Sequence, residues 1–201
     1  MFTSTQSRFG AFAVVAASVV SGIASANIIL VSEEAVFNSI ITSAGGAIDN
    51  EYFSGYSGYY GSGLTGGTGE GAWTATAEGG LFALGGIMST NFSAAPLTLT
   101  FSSGNVFAIG GNFFNTDTGF GTVPSLIEVR MNDISYVFNS SSDDFAGFVS
   151  TSGAIQAITF TPYGSGEGKF ASTDHVVVGA IPSPAALALG ALAGLIRRRR
   201  R

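Results

Sequence analysis

From Trp73 to Ala180 the chain never holds one apolar pattern for long. Short runs rich in Val, Ile, Leu, Phe and Thr are broken at close intervals by Ser103-Gly-Asn105, Asp117-Thr-Gly119, Asn132-Asp133, Ser140 to Asp144 and Gly164-Ser-Gly-Glu-Gly168. Gly, Asn, Asp and Ser supply the left-handed backbone and local hydrogen bonds that turns require, so the interruptions mark turns and the runs between them mark strands. The expected strands are Trp73 to Ala77, Leu81 to Leu84, Leu97 to Phe101, Val106 to Phe114, Leu126 to Met131, Ser135 to Phe138, Phe145 to Val149, Ile155 to Thr161 and His175 to Ala180. Two alternate cleanly: Leu97, Leu99 and Phe101 oppose Thr98 and Thr100, and Ile127, Val129 and Met131 oppose Glu128 and Arg130. A period of two puts one set of side chains in a core and the other in water. Many short strands at this spacing predict an all-β fold, an antiparallel β-sandwich of jelly-roll or immunoglobulin-like type.

Upstream of this region, Asn27-Ile-Ile-Leu-Val31 reads as a strand, followed by one short helix. Ser32 is its expected cap, Glu33 and Glu34 complement the helix dipole in the first turn, and Val36, Phe37, Ile40, Ile41 and Ala44 form one apolar face. Gly45 and Gly46 end it. Residues 53–71 are rich in Gly and Tyr and read as a loop. Within and beside it, Tyr56, Tyr59, Tyr60 and Trp73 are candidates for stacking on sugar rings, because these side chains join a flat apolar face to a polar handle.

Charge is sorted along the chain. Six of the eight basic residues lie at the ends, as Arg8 and the run Arg197 to Arg201, while all 13 acidic residues lie between, accompanied only by Arg130 and Lys169. An acidic middle repels phosphate backbones, which excludes nucleic acid as an expected partner. The absence of cysteine removes thiol chemistry and disulfides, so stability must come from packing.

The ends read as addresses. Arg8 precedes the apolar run Phe9 to Val20, and Ala24-Ser25-Ala26 has the small-x-small form that signal peptidase cuts, giving a secretory signal over residues 1–26. The secretion machinery and signal peptidase are the implied partners. At the other end, residues 181–201 carry Pro182, Ser183 and Pro184, an apolar Ala/Leu/Gly stretch to Ile196, and Arg197, Arg198, Arg199, Arg200 and Arg201. The prolines separate a C-terminal hydrophobic helix from the domain of residues 27–180, and the arginines stay on the cytoplasmic side of a membrane.

This tail resembles the PEP-CTERM sorting signal of Gram-negative bacteria: two prolines around a central residue, a short hydrophobic helix, then an arginine cluster. Pro182 and Pro184 match the motif, while Ser183 stands where that family usually has Glu. The resemblance implies recognition by an exosortase-type membrane enzyme and attachment to, or release from, the cell envelope in organisms that make extracellular polysaccharide. The segments Leu99 to Asp117, Phe145 to Ser150, Ile158 to Pro162 and Thr173 to Gly179 also look like the strand runs of extracellular domains bearing this tail, which resemble lectin-type sandwiches.

Catalytic signatures are sparse. A lone histidine, His175, sits at the start of an expected strand, and no Gly-x-Ser-x-Gly elbow accompanies it. Gly164 to Lys169 lacks the flanking residues of a phosphate loop, having Tyr163 and Phe170 there. Asp143 and Asp144 follow three serines and are the candidate ligands for Ca²⁺, which takes oxygen donors; a solvated turn is the other reading. The expectation is a non-enzymatic envelope or extracellular-matrix protein associated with polysaccharide and requiring no cofactor. A polysaccharide hydrolase or lyase using carboxylates on the same sandwich is the alternative.

Overall fold

The computed structural model describes residues 28–131 and 133–180. The signal segment with Ala24 and Ala26, and the tail with Pro182, Ser183, Pro184 and Arg197 to Arg201, lie outside the described residues. The chain runs β1 (Ile28–Val31), α1 (Glu34–Ser43), β2 (Ala47–Glu51), β3 (Gly58–Tyr60), β4 (Leu64–Gly66), β5 (Trp73–Ala77), β6 (Leu81–Leu84) and β7 (Ile87–Thr90). It continues through β8 (Leu97–Phe101), β9 (Val106–Thr116), β10 (Ser125–Met131), β11 (Ile134–Ser140), β12 (Phe145–Ser150), β13 (Ala157–Pro162) and β14 (Phe170–Ala180). All strand pairs are antiparallel, and they form two sheets packed as an all-β sandwich. The larger sheet has the order β1-β12-β9-β14-β7-β6-β3, with β2 also paired to β14; the smaller has β11-β10-β13-β8-β5-β4.

Alternation decides what lies between the sheets. Leu97, Leu99, Ile127, Val129, Ile158 and Phe160 of the smaller sheet meet Met88, Ile109, Phe113, Phe148, Val176 and Val178 of the larger in one buried cluster. Their polar neighbours point outward, as the sequence pattern requires: Thr98 Oγ1 and Thr159 Oγ1 pair at 2.9 Å, and Arg130 bonds Glu128 at 2.9 Å. The Glu128 carboxyl is held below its ordinary pKa, first by the Ser135 hydroxyl and then by Arg130.

The strands β9 and β14 are buried on both faces, which explains why their sequences do not alternate. Their second face is covered by α1, whose Phe37 and Ile41 are fully buried against Phe107, Ala108, Val149 and Val177. Glycine makes room for this contact. A Cβ on Gly147 of β12 would lie 2.5 Å from the Phe37 ring, and one on Gly179 of β14 would lie 2.6 Å from Ile41 Cδ1. Glu33, in extended backbone, is the N-cap of α1 rather than Ser32, and no side chain caps it. At the other end Gly45, at φ 73°, lets the Gly46 N–H reach the Ile41 carbonyl at 2.9 Å, closing the helix as expected.

Four strands escape the sequence pattern: β2, β3, β4 and β7. Residues 53–71 are no open loop, because they contain β3, β4 and a 3₁₀ turn at Gly69–Gly71. Phe53 fastens the segment from within. It is fully buried, with its ring 5.6 Å from Trp73 and 6.2 Å from Tyr56. The last strand begins at Phe170, five residues before His175, because a bulge between Thr173 and His175 resets the register and hides the period.

The glycine floor under α1 gives a direct test. Gly147→Ala should destabilise the domain by about 1–3 kcal/mol in urea unfolding, the usual cost of overpacking a filled core, without changing the far-UV spectrum of the folded state.

Candidate functional site

On β6, β7 and β14, residues Leu81, Met88 and Ala171 enter the inter-sheet core, so their neighbours Phe82, Ser89 and Phe170 face the other side of the larger sheet. There they line a cavity of about 270 Å³, with Thr90, Asn91, Asp117, Thr118 and Phe120 completing its walls. Its floor is polar. The hydroxyls of Ser89, Thr116 and Ser172 are buried and form a closed ring, with Thr116–Ser172 at 2.8 Å, Ser172–Ser89 at 2.9 Å and Ser89–Thr116 at 3.4 Å. A hydroxyl both donates and accepts, so such a ring satisfies itself without charge.

The loop after β9 forms one wall, and Asp117 organises it. Its carboxylate Oδ1 accepts the N–H of Gly119 at 2.8 Å and of Gly121 at 2.9 Å, while its own N–H donates to the Gly121 carbonyl at 2.9 Å. This network holds Phe120 at φ 63°, a left-handed conformation that costs a bulky residue on the order of 1–3 kcal/mol. The strained residue carries its ring to the cavity, where it meets Phe82 with centroids 5.8 Å apart and planes at 51°. Opposite, Asn91 Nδ2 donates to the Gly79 carbonyl at 3.1 Å and Thr90 Oγ1 to the Phe92 carbonyl at 3.0 Å, fixing that rim. Three phenyl rings thus stand with hydroxyls, an amide and one carboxylate. A pyranose presents C–H faces and peripheral hydroxyls, and this lining offers partners to both. Asp117 is the sole acid among the residues lining the cavity, so the pair of carboxylates that glycoside hydrolysis uses does not meet there.

The aromatic residues expected to stack on sugars divide between the interior and the surface. Trp73 is 3% exposed and packs on Phe53 and Tyr56. Tyr56 is half-buried, and burial followed by the Glu51 carboxylate raises its pKa. Tyr60, also half-buried, donates its hydroxyl to the Ser57 carbonyl. Only Tyr59 of the four is exposed, and its hydroxyl is tied to the Gly79 carbonyl at 3.2 Å. The reason is local: in a glycine-rich segment these aromatics, with Phe53 and Leu64, are the large apolar side chains that hold it down.

Asp143 and Asp144 lie together beside a second cavity, walled by Leu30, Phe138 and Phe145. Asp144 Oδ2 accepts the Ser141 hydroxyl at 2.9 Å, and the Asp144 N–H donates to the Ser141 carbonyl. Serine and aspartate here close a turn, and no group of three or more His, Asp or Glu side chains arranged to hold a metal occurs among the described residues.

His175 is 7% exposed, stacked on Tyr52 at 4.4 Å with planes 4° apart, 3.2 Å from Asn50 Oδ1 and 3.9 Å from Glu34. This is a packing role that ties α1 and β2 to β14. Beside it Asp174, in the bulge, accepts from Asn112 Nδ2 at 3.1 Å, and burial raises its pKa against the pull of that hydrogen bond.

The cavity residues Phe82, Phe120, Phe170 and Asp117 were not legible as a site in the sequence. One signal was present: Asp117, Gly119 and Gly121 at alternate positions around Phe120, the spacing of a carboxylate that collects two backbone amides. Comparison with other proteins adds nothing to this geometry, because no family model, no curated protein and no solved structure matches the chain. Among the described residues no helix is long and apolar enough to cross a membrane.

Asp174 predicts a pH dependence. Its proton is held more tightly in the folded state than in the unfolded one, so the ionised residue costs stability above its raised pKa, and the cost disappears as pH falls below the ordinary aspartate value. Asp174→Asn should therefore raise the melting temperature at pH 7, with the gain over wild type shrinking toward zero as the medium is acidified through that range.

Proposed function

We propose that the protein is an exported, non-enzymatic envelope or matrix protein whose sandwich binds a neutral polysaccharide in the cavity between Phe82, Phe120 and Phe170. The cavity carries the reading: aromatic faces, a rim of hydroxyl and amide groups, and a strained aromatic residue held in place at its mouth. The positive φ of Phe120, held by Asp117, is what turns its ring into the cavity lining. A single carboxylate and the scarcity of basic residues favour a neutral sugar over an acidic one.

Two further features support the setting. The eight strands β7 to β14 fall in the orders β7-β14-β9-β12 and β8-β13-β10-β11, facing each other. We read this arrangement as a jelly roll, an architecture frequent among lectin domains, and the support it lends to sugar binding is by analogy. The tail at residues 181–201 resembles a PEP-CTERM signal, and that resemblance supports a location at the envelope and handling by an exosortase-type enzyme, with the signal over residues 1–26 directing export. No observation favours the hydrolase alternative.

The test uses full-length protein and two variants. Phe120→Ala should weaken retention on an immobilised neutral polysaccharide about tenfold, the loss of roughly 1.4 kcal/mol of aromatic contact. Deleting residues 181–201 should leave that retention intact and release the protein from the envelope fraction. Unchanged retention for Phe120→Ala would remove the cavity from the account, and unchanged envelope association for the truncated chain would remove the tail.

A further inference from the structure

The free edges of the two sheets differ in how they are protected. An unpaired edge strand offers a row of N–H and C=O groups to any other strand, and proteins blunt such edges with short strands, charge, proline or bulges. The edges β3 and β4 are three residues each, β1 is four, and β2 carries Asp49 and Glu51. The exception is β11. It is seven residues long, Ile134-Ser-Tyr-Val-Phe-Asn-Ser140, without charge, proline or glycine, and among the described residues it pairs in unbroken register with β10 alone. A heptapeptide of this composition has high strand propensity and no gatekeeper.

Its side chains are also incompletely covered. Val137, on the outer face, is 43% exposed. Tyr136 and Phe138, on the inner face, only partly enter the core cluster, and the Tyr136 hydroxyl reaches the Ile28 carbonyl of the neighbouring edge β1 at 3.4 Å. On β1 itself Ile29 and Leu30 are 47% and 53% exposed. Both edges on this side of the sandwich are thus uncharged, with exposed apolar side chains.

We propose that two copies of the chain pair antiparallel along β11 about a two-fold axis at Val137. That register sets Val137 against Val137 of the second copy on one face, and Tyr136 against its Phe138 on the other, each a favourable cross-strand pair. Ser135 falls opposite Asn139, so no charge is buried. The smaller sheets join into one sheet, and the β1 edges of the larger sheets come to the same seam. A two-fold contact of this kind is self-complementary and closes at a dimer, leaving no β11 edge free to add further copies. A second copy is the favoured occupant because the central five residues, Ser135 to Asn139, match themselves under the two-fold, whereas a charged or proline-bearing partner strand finds nothing on β11 to pair with.

The chain contains no cysteine, so one introduced thiol reports the register directly. The full-length protein in mild detergent, carrying Val137→Cys and exposed to a mild oxidant, should convert to a disulfide-linked dimer. Thr100→Cys, exposed on the interior strand β8, should remain monomeric under the same conditions. Val137→Lys should weaken self-association at least about tenfold in sedimentation equilibrium while its melting curve stays close to wild type, since the position is exposed. Val137→Cys cross-linking no faster than Thr100→Cys, or Val137→Lys associating like wild type, would overturn the proposal.

Discussion

The structure hangs on the pairing of β9 with β14, two eleven-residue strands that lie side by side and are buried on both faces. One face of this pair meets the smaller sheet and the other receives α1. Covering both faces requires near-continuous apolar or small residues, and that is what the two strands supply, from Val106-Phe-Ala-Ile-Gly-Gly to Val176-Val-Val-Gly. Glycine at 147 and 179 keeps the floor low enough for Phe37 and Ile41 to seat. The helix therefore depends on an absence of side chains beneath it as much as on its own apolar stripe.

The same two strands position the candidate site. Where α1 ends its cover, the outer face turns from apolar to hydroxyl-bearing, with Ser172 and Thr116 joined to Ser89 of β7. A buried ring of hydroxyls can sit behind a cavity because each member satisfies another, so the wall at Ser89 is polar without carrying charge. The loop leaving β9 then brings Phe120 to the mouth, and Asp117 meets the conformational cost through two charge-assisted hydrogen bonds to backbone amides.

Legibility in the sequence followed the physics of each segment. Strands with one wet face, such as Leu97–Phe101 and Trp73–Ala77, have the bounds that their pattern predicts. Strands buried on both faces lose the period of two, which is why β9 and β14 run longer than their patterns suggest. Short strands in glycine-rich sequence, β3 and β4, are set by pairing with β6 and β5 and carry almost no local signal. The site was less readable still. Tyr56 and Trp73 have the chemistry of sugar platforms but are needed inside, while Phe82, Phe120 and Phe170 come from three distant segments that only the sheet order brings together. No local pattern contains such a juxtaposition.

We propose that the cavity on the outer face of the larger sheet takes a neutral sugar chain. Amide hydrogen exchange, measured with and without a saturating neutral oligosaccharide, tests this most directly because it reports location. Protection gained at residues 117–121 and 89–91, with the smaller sheet unchanged, is the predicted result. Protection confined to the outer face of the smaller sheet, or to residues 53–71, would contradict it.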